Sequence, residues 1–131
     1  ANFHAYVHFF QVKKTHLRNN AKFTLREDIA DHGGLQIAFK AHQTHKRKHG
    51  HEARFASNQD FDSDQMFFLG YATKHCARYS FEGLKQQLTT NEHSLEQLRV
   101  NKVVANNPAF AEAFHCAPGK KLNPPKRCDM Y

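Results

Sequence analysis

The stretch of residues 27–34 concentrates the side chains best suited to chemistry, and it reads Glu-Asp-Ile-Ala-Asp-His-Gly-Gly. Glu27 and Asp31 are four residues apart, so on a helix both carboxylates project from the same face. Zinc hydrolases use such a pair: one carboxylate binds the metal, while a second accepts the ring N–H of a metal-binding histidine. The same spacing is typical of a helix start whose acidic first turn faces the helix dipole. On spacing alone, we favour this structural interpretation.

Three histidines fall at helical spacing further along the chain: His42, His45 and His49. Imidazoles on one helix face could bind zinc or nickel. A basic run at residues 46–48 accompanies them, and cations near a helix C-terminus complement its dipole. We therefore interpret the three histidines as part of a solvated basic helix end.

The zinc-peptidase signature His-Glu-x-x-His places two metal-binding histidines and a general base on one helix. His51-Glu52 begins like this signature, but residue 55 is Phe, and the motif occurs nowhere in these 131 residues. A hydrolytic zinc site would therefore need two ligands and a base from other sequence.

The composition limits the class of protein. A chain of 131 residues with 40% apolar residues forms one domain at most, with a modest core. It has 19 Lys and Arg against 12 Asp and Glu, which gives a net charge of +7. These cations are spread from Lys13 to Arg127 without a nucleic-acid motif, and no apolar run reaches the roughly 18 residues of a membrane span. We exclude a membrane-spanning or disordered stretch and expect no nucleic-acid partner.

Helical periodicity becomes clear at Glu27 and predicts a helix that carries the 27–34 stretch and ends near Gly50. Asp62 and Gln65 then have capping-box spacing. The apolar run that follows them predicts a buried helix that reaches about Tyr79.

Three further segments complete the predicted elements. Segment 81–88 has apolar residues at helical spacing and predicts a short helix that the polar residues 89–91 end. Four core candidates lie in a segment of undefined type: Leu95, Leu98, Val103 and Val104. Asn107-Pro108 is a typical helix start, for a helix with Phe110 and Phe114 on one face. The remaining tail is irregular.

Further motifs extend the 27–34 stretch into a family pattern. They are Phe67–Ala72, Cys76, His93-Ser94, Arg99–Asn101, Asn107–Cys116, Leu122–Pro124 and Cys128. In this order and spacing, residues 15–131 resemble the carboxyl-terminal segment of the neprilysin and endothelin-converting-enzyme family of zinc metalloendopeptidases, in which the first motif is Glu-Asn-Ile-Ala-Asp-x-Gly-Gly. Residues 1–14 match only loosely. The resemblance implies a mainly α fold, the carboxyl-terminal helical part of a neprilysin-like, thermolysin-related catalytic ectodomain that residues 1–131 do not complete alone.

The resemblance also implies roles for individual residues. Glu27 matches the third ligand of a single zinc ion, and Asp31 matches the carboxylate that orients a zinc-binding histidine. His93 matches the histidine that donates to the oxyanion of the tetrahedral intermediate. Arg99 matches the arginine that binds a substrate backbone carbonyl. The interpretations without function are a surface His93 and a solvated Arg99.

Three positions depart from the family pattern. Asp28 replaces an Asn that contacts the substrate backbone in relatives, and an ionised carboxylate only accepts hydrogen bonds, so the donor half of that contact is lost. Arg26 replaces a small residue and crowds the approach to the site. Tyr131 stands where relatives commonly end in Trp.

These observations predict part of a peptidase that hydrolyses peptide bonds in oligopeptides or proteins. The match runs to the last residue, so we expect that end to be genuine and the upstream remainder to supply both zinc histidines and the general base. The chain alone is then inactive, and the complete protein is extracellular or lumenal, either secreted or membrane-anchored. The alternative is a catalytically inactive neprilysin-like binding or structural protein that lacks His-Glu-x-x-His.

Cysteine pairing is a further expectation. The chain has three cysteines, Cys76, Cys116 and Cys128. The resemblance places their disulfide partners in the upstream remainder of the protein. A bond between Cys116 and Cys128, which would close a small loop, ranks second.

Overall fold

The computed structural model describes residues 16–128. Residues 1–15 and 129–131 lie outside the description, and with them the loosely matched start of the chain and the departure at Tyr131. Five helices follow one another in the described part: α1 (Ala21–His49), α2 (Ser63–Lys74), α3 (Phe81–Thr90), α4 (Glu96–Ala105) and α5 (Pro108–Ala113). No β-strand longer than a single bridge forms between residues 16 and 128. The predicted mainly α fold is confirmed.

Helix α1 begins six residues earlier than its periodicity predicts, because Asn20 caps it. The Asn20 side chain accepts from the backbone N–H of Phe23 at 3.4 Å. The first turn therefore contains no acidic residue, and the interpretation of Glu27 and Asp31 as first-turn dipole partners is wrong. The end is as predicted: Gly50 has a φ of 85°, a conformation that glycine adopts freely, and its N–H bonds the carbonyl of Lys46.

The capping box of α2 is confirmed. The Asp62 carboxylate accepts from the Gln65 N–H at 2.9 Å, and the Gln65 side chain accepts from the Asp62 N–H at 3.0 Å. The helix ends at Lys74, however, and not near Tyr79. His75 caps it, with its backbone N–H directed at the carbonyls of Ala72 and Thr73.

Helices α3 and α5 form where the sequence predicts them, with Ser80 and Asn107 as N-caps. The segment of undefined type becomes α4, and all four of its core candidates are buried. Helix α4 packs against α1, α2 and α5, and therefore lies at the centre of the described fold. Residues after α5 form turns without a further helix up to residue 128.

Aromatic side chains join these helices. Phe68 of α2 is 2% exposed and packs with Leu35 and Val103. Its ring stacks on Phe39 at 4.9 Å and meets Phe110 edge-to-face at 5.3 Å. Burial of one such side chain contributes about 2–3 kcal/mol. This cluster fixes α2 and α5 against α1, and with them the residues around the predicted site.

A second contact ties the irregular tail to α1 through Asn106, at the end of α4. Its side chain donates to the Cys128 carbonyl at 2.7 Å and accepts from the Cys128 N–H at 2.6 Å. The same amide nitrogen lies 3.0 Å from Nε2 of His32, which is fully buried in α1. Gln36 also approaches this Nε2, at 3.2 Å. Two amide donors meet one ring nitrogen, so the His32 ring is neutral there.

No helix in residues 16–128 combines the length and the apolar content that crossing a membrane would require.

Candidate functional site

The solvent-facing part of the site is a contact between a helix and a loop. Glu27 lies on α1, and His93 lies in the loop that precedes α4. Oε2 of Glu27 and Nε2 of His93 are 3.2 Å apart, and both side chains are about one third exposed. The structure thus brings together two predicted site residues that are 66 positions apart in the sequence, on a surface that a ligand can reach.

Asn91 orients His93. The Asn91 side-chain oxygen accepts from the His93 backbone N–H at 2.9 Å and lies 3.1 Å from the ring Nδ1. The Asn91 amide nitrogen donates in turn to Gln87 at 2.8 Å, which fixes the orientation of the amide. Both nitrogens of the His93 ring therefore face oxygen acceptors. Nδ1 is directed at Asn91, and Nε2 is directed at Glu27.

Asp31 and Arg99 form the inner part of the site. Arg99 of α4 donates from Nε and Nη2 to the two carboxylate oxygens of Asp31, at 2.5 Å and 2.7 Å. The side chains are only 17% and 13% exposed, so this bidentate pair is largely shielded from water. The hydrogen bonds that Arg99 donates to Asp31 raise the pKa of Arg99 above its ordinary value. Arg99 is anchored, and the interpretation as a solvated arginine is wrong.

Asp28 lies apart from these four residues. It is 5% exposed, and its carboxylate accepts from the Thr24 hydroxyl at 2.8 Å. Ser94 donates to the same Thr24 oxygen at 3.0 Å, and Asn19 donates to both hydroxyls. Burial raises the pKa of Asp28, while the hydrogen bonds from Ser94 and Thr24 act in the opposite direction. A substrate contact by Asp28 stays a prediction; the described contacts of its carboxylate lie within the fold.

Sequence reasoning missed the residues that support the site. Tyr71 of α2 donates its hydroxyl to the backbone carbonyl of Arg99 at 3.0 Å, and Asn91 orients His93. Asn91 follows α3 directly, and Asn in such a position commonly bonds nearby backbone, a signal that could have found it. The contact of Tyr71 depends on how α2 crosses α4, and no local pattern indicates it.

A cleft of about 520 Å³ borders Asp31. Small residues of α1 form one wall, among them Ala30, Gly34 and Ala38, and Tyr71 and Lys74 of α2 form part of the other. The Asp31–Arg99 pair therefore adjoins open volume on the α2 side.

The three histidines of the second half of α1 do not group together as a set of three in the described part of the chain. His42 lies 2.8 Å from the Asp64 carboxylate, which also accepts from Gln43 and Lys46. The rings of His45 and His49 contact each other at 4.5 Å. Across the described residues, no three His, Cys, Asp or Glu side chains group closely enough to hold a metal ion. The interpretation as a basic helix end fits these contacts.

The resemblance implies zinc, and Glu27 is the side chain in the described range that suits it. An accessible carboxylate is a donor that zinc accepts. Asp31 keeps acceptor capacity beyond its two bonds to Arg99, because a carboxylate has about four lone-pair positions. The described chain thus fits one zinc ligand and one orienting carboxylate, and a complete site would need further ligands from elsewhere.

All three cysteines are free in the structure: Cys76 is exposed, Cys116 is partly buried and Cys128 is buried. The second-ranked bond between Cys116 and Cys128 is not formed. Pairing with upstream sequence stays a prediction.

An accessible carboxylate, a histidine and an anchored guanidinium thus lie on adjoining elements of the fold. Comparison with known proteins identifies the family. The model of the family described as Peptidase family M13 matches residues 1–130. The chain therefore belongs to peptidase family M13, the family of neprilysins and endothelin-converting enzymes, and this membership supports a peptidase-type function.

Individual relatives agree. Neprilysin-1 of Caenorhabditis elegans is 44% identical over 122 residues, which are 92% of this chain and 16% of the relative. Endothelin-converting enzyme 1 of Homo sapiens is 37% identical over 112 residues, or 86% of this chain and 14% of the relative. A solved chain of the Haemonchus galactose containing glycoprotein complex superposes with a TM-score of 0.81 at 37% identity, and covers 85% of this chain and 19% of that one. The chain thus spans less than a fifth of the length of these relatives.

Proposed function

We propose that this chain forms part of the active site of a zinc metalloendopeptidase that hydrolyses peptide bonds in oligopeptides or proteins. The observation that carries the proposal is the joint placement of Glu27, Asp31, His93 and Arg99 from three separate segments. Family membership supports the reaction class. Sequence outside these 131 residues supplies the His-Glu-x-x-His helix in this proposal.

Glu27 is the proposed zinc ligand, and Asp31 the proposed partner of a zinc-binding histidine. The chemistry that bound zinc supplies is polarisation of the scissile carbonyl and activation of water. Glu27 lies in the second turn of a capped helix, one turn before Asp31. Asp31 is fixed by two bonds from Arg99 and retains acceptor positions for an imidazole N–H.

His93 is the proposed donor to the oxyanion. Its Nε2 faces Glu27, and Asn91 holds the opposite ring nitrogen. A donor fixed before the reaction stabilises developing negative charge without reorganisation. Arg99 is the proposed substrate-positioning residue: Nε and Nη2 each donate one bond to Asp31. The other three of its five N–H donors, two at Nη1 and one at Nη2, are the proposed donors to a substrate carbonyl.

The proposed partners are peptide substrates and the remainder of the peptidase. Disulfides from Cys76, Cys116 and Cys128 to that remainder are part of the proposal, as is an extracellular or lumenal location, where such bonds persist.

The test uses the full-length protein that contains this segment, a mixed peptide library and a metal chelator. We expect peptide cleavage that the chelator abolishes and added zinc restores, while purified residues 1–131 cleave nothing. Chelator-sensitive cleavage by the isolated chain that survives repurification would contradict the shared-site proposal. Full-length protein that lacks His-Glu-x-x-His and cleaves no peptide would support the inactive binding or structural alternative.

A further inference from the structure

His75 is a buried titratable residue for which the proposed reaction has no role. It caps α2 and is 8% exposed. Its Nε2 is buried and has no hydrogen-bond partner among the described residues. A buried polar atom without a partner costs about 1–3 kcal/mol. The side chains around His75 must therefore explain why a histidine occupies this position.

Two successive contacts connect His75 with Arg99 in the inner part of the site. The His75 ring meets the Tyr71 ring edge-to-face, with centroids 4.9 Å apart and planes at 66°. The Tyr71 hydroxyl donates to the backbone carbonyl of Arg99, whose guanidinium holds Asp31. The side chain of His75 thus limits the position of Tyr71, and Tyr71 limits the position of Arg99.

The charges that face His75 come from all three helices around it: Asp31 of α1, Lys74 of its own helix, and Glu96 and Arg99 of α4. Burial lowers the pKa of His75 most, and Arg99 and Lys74 lower it further, while Asp31 and Glu96 act in the opposite direction. The ring is therefore neutral near pH 7. A proton on it places a second buried cation beside Arg99, and Asp31 is then shared between two cations.

We propose that His75 is a positioning residue of this site, whose neutral ring supports Tyr71 and thereby Arg99, and whose protonation loosens Arg99 from Asp31 and weakens substrate binding. The proposal rests on the proposed substrate contact of Arg99. It predicts a KM that rises as pH falls below the ordinary histidine range, with kcat less affected.

The main experiment compares full-length wild type with His75→Phe, which keeps an aromatic ring against Tyr71 but cannot be protonated. KM is measured from about pH 7 to about pH 5, a range that spans the protonation of buried neutral histidines. All other titrating groups are common to both enzymes, so the ratio of the two KM values isolates His75. We expect the KM of wild type to equal that of His75→Phe at about pH 7 and to exceed it about tenfold at about pH 5. A tenfold change corresponds to the loss of one charge-assisted hydrogen bond. His45→Phe, at an exposed position, is the matched control and should follow wild type.

A double-mutant cycle tests the route through Arg99. Tyr71→Phe should raise KM in the wild-type background and have little effect in Arg99→Ala. Additive effects would overturn the route, and a KM ratio that stays constant with pH would overturn the role of His75. If Arg99→Ala leaves KM unchanged, the substrate contact of Arg99 is wrong instead.

Histidine NMR gives a readout independent of turnover. The His75 signal is assigned by its loss in His75→Phe, and its titration midpoint should rise when Arg99→Gln removes the facing cation. An unchanged midpoint would show that the two groups are not coupled and would overturn the proposal.

Discussion

Both halves of α1 contain histidines and lysines, yet only the first half carries a candidate site. Each half contributes to a Glu–His contact: Glu27 with His93 at 3.2 Å, and His45 with Glu52 at 3.7 Å. All the buried residues of α1 lie in the first half, up to Leu35, and none lies in the second. Helix α4 supplies Arg99 and Asn106 to the first half.

This comparison shows that a site depends more on which helix packs against its residues than on the spacing of those residues along α1. His45 is 56% exposed and Glu52 is 50% exposed, and an ion pair so open to water contributes little. Glu27 has a similar contact, but Asp31 and Arg99 lie beneath it in a shielded layer. The predictions below compare residues around the first half of α1 with residues around its second half.

The largest difference is expected for the two glutamates. Glu27→Gln in the full-length protein should lose zinc and activity by more than the roughly 10- to 100-fold expected for Asp31→Asn, because it removes a charged ligand and Asp31 only orients one. Glu52→Gln should behave as wild type. Zinc content by elemental analysis, together with turnover, checks the order. Wild-type zinc content and turnover in both Glu27→Gln and Asp31→Asn would defeat the assignment.

The two histidines that face these glutamates provide the next comparison. His93→Ala should lower kcat by about 100- to 1,000-fold, the loss typical of one oxyanion donor, and leave KM less affected. His45→Ala should leave both constants unchanged. Steady-state kinetics on one peptide substrate measures both variants. Equal kcat values for the two would remove His93 from the proposed mechanism.

A smaller effect, on the pH dependence of stability, is expected to distinguish a buried histidine of α1 from an exposed one. Burial lowers the pKa of His32, so the unfolded chain binds more protons below about pH 6.5 and stability should fall as pH decreases through that range. His32→Gln keeps an acceptor for Asn106 but cannot titrate. It should cost about 1–2 kcal/mol at neutral pH and reduce the pH dependence. Thermal unfolding against pH measures this, with His49→Gln as the control; equal pH dependence in wild type and His32→Gln would contradict the expectation.

The smallest effect is expected where the second half of α1 contacts α2. Burial opposes ionisation of Asp64, but hydrogen bonds from Lys46, His42 and Gln43 outweigh it and lower the pKa of Asp64. Asp64→Asn should destabilise the protein by about 1 kcal/mol because the charged contacts are partly exposed. Its kcat and KM should match wild type. A loss of turnover without a loss of stability would give this half a role in the site.

Local signals predicted most of the helices. The capping box at Asp62 and the Asn107-Pro108 start each fixed a helix boundary, because capping depends on residues close in sequence. The early start of α1 was missed, since Asn20 precedes the clear apolar periodicity. The predicted end of α2 was too late, because apolar residues continue past Lys74 although the backbone turns at His75.

The site was predictable only where the family pattern supplied it. Spacing alone favoured a structural interpretation of Glu27 and Asp31, since nothing near them in sequence indicates Arg99, 68 residues away from Asp31. The roles of Tyr71 and Asn106 depend on how helices cross, which periodicity does not determine. Contacts between residues far apart in the sequence are therefore the part of the site that local patterns do not predict.

The contact between Asn106 and Cys128 gives the fold a defined order of opening. One amide holds both polar groups of the Cys128 backbone and approaches His32 with the same nitrogen. Residues 32–128 are thus closed into a non-covalent ring, and the tail cannot detach without leaving that buried amide short of partners. Local unfolding that starts at residue 128 would reach α1 one residue from Asp31 before it disturbed the aromatic core. A displaced Cys128 backbone therefore changes the surroundings of His32, the residue next to Asp31.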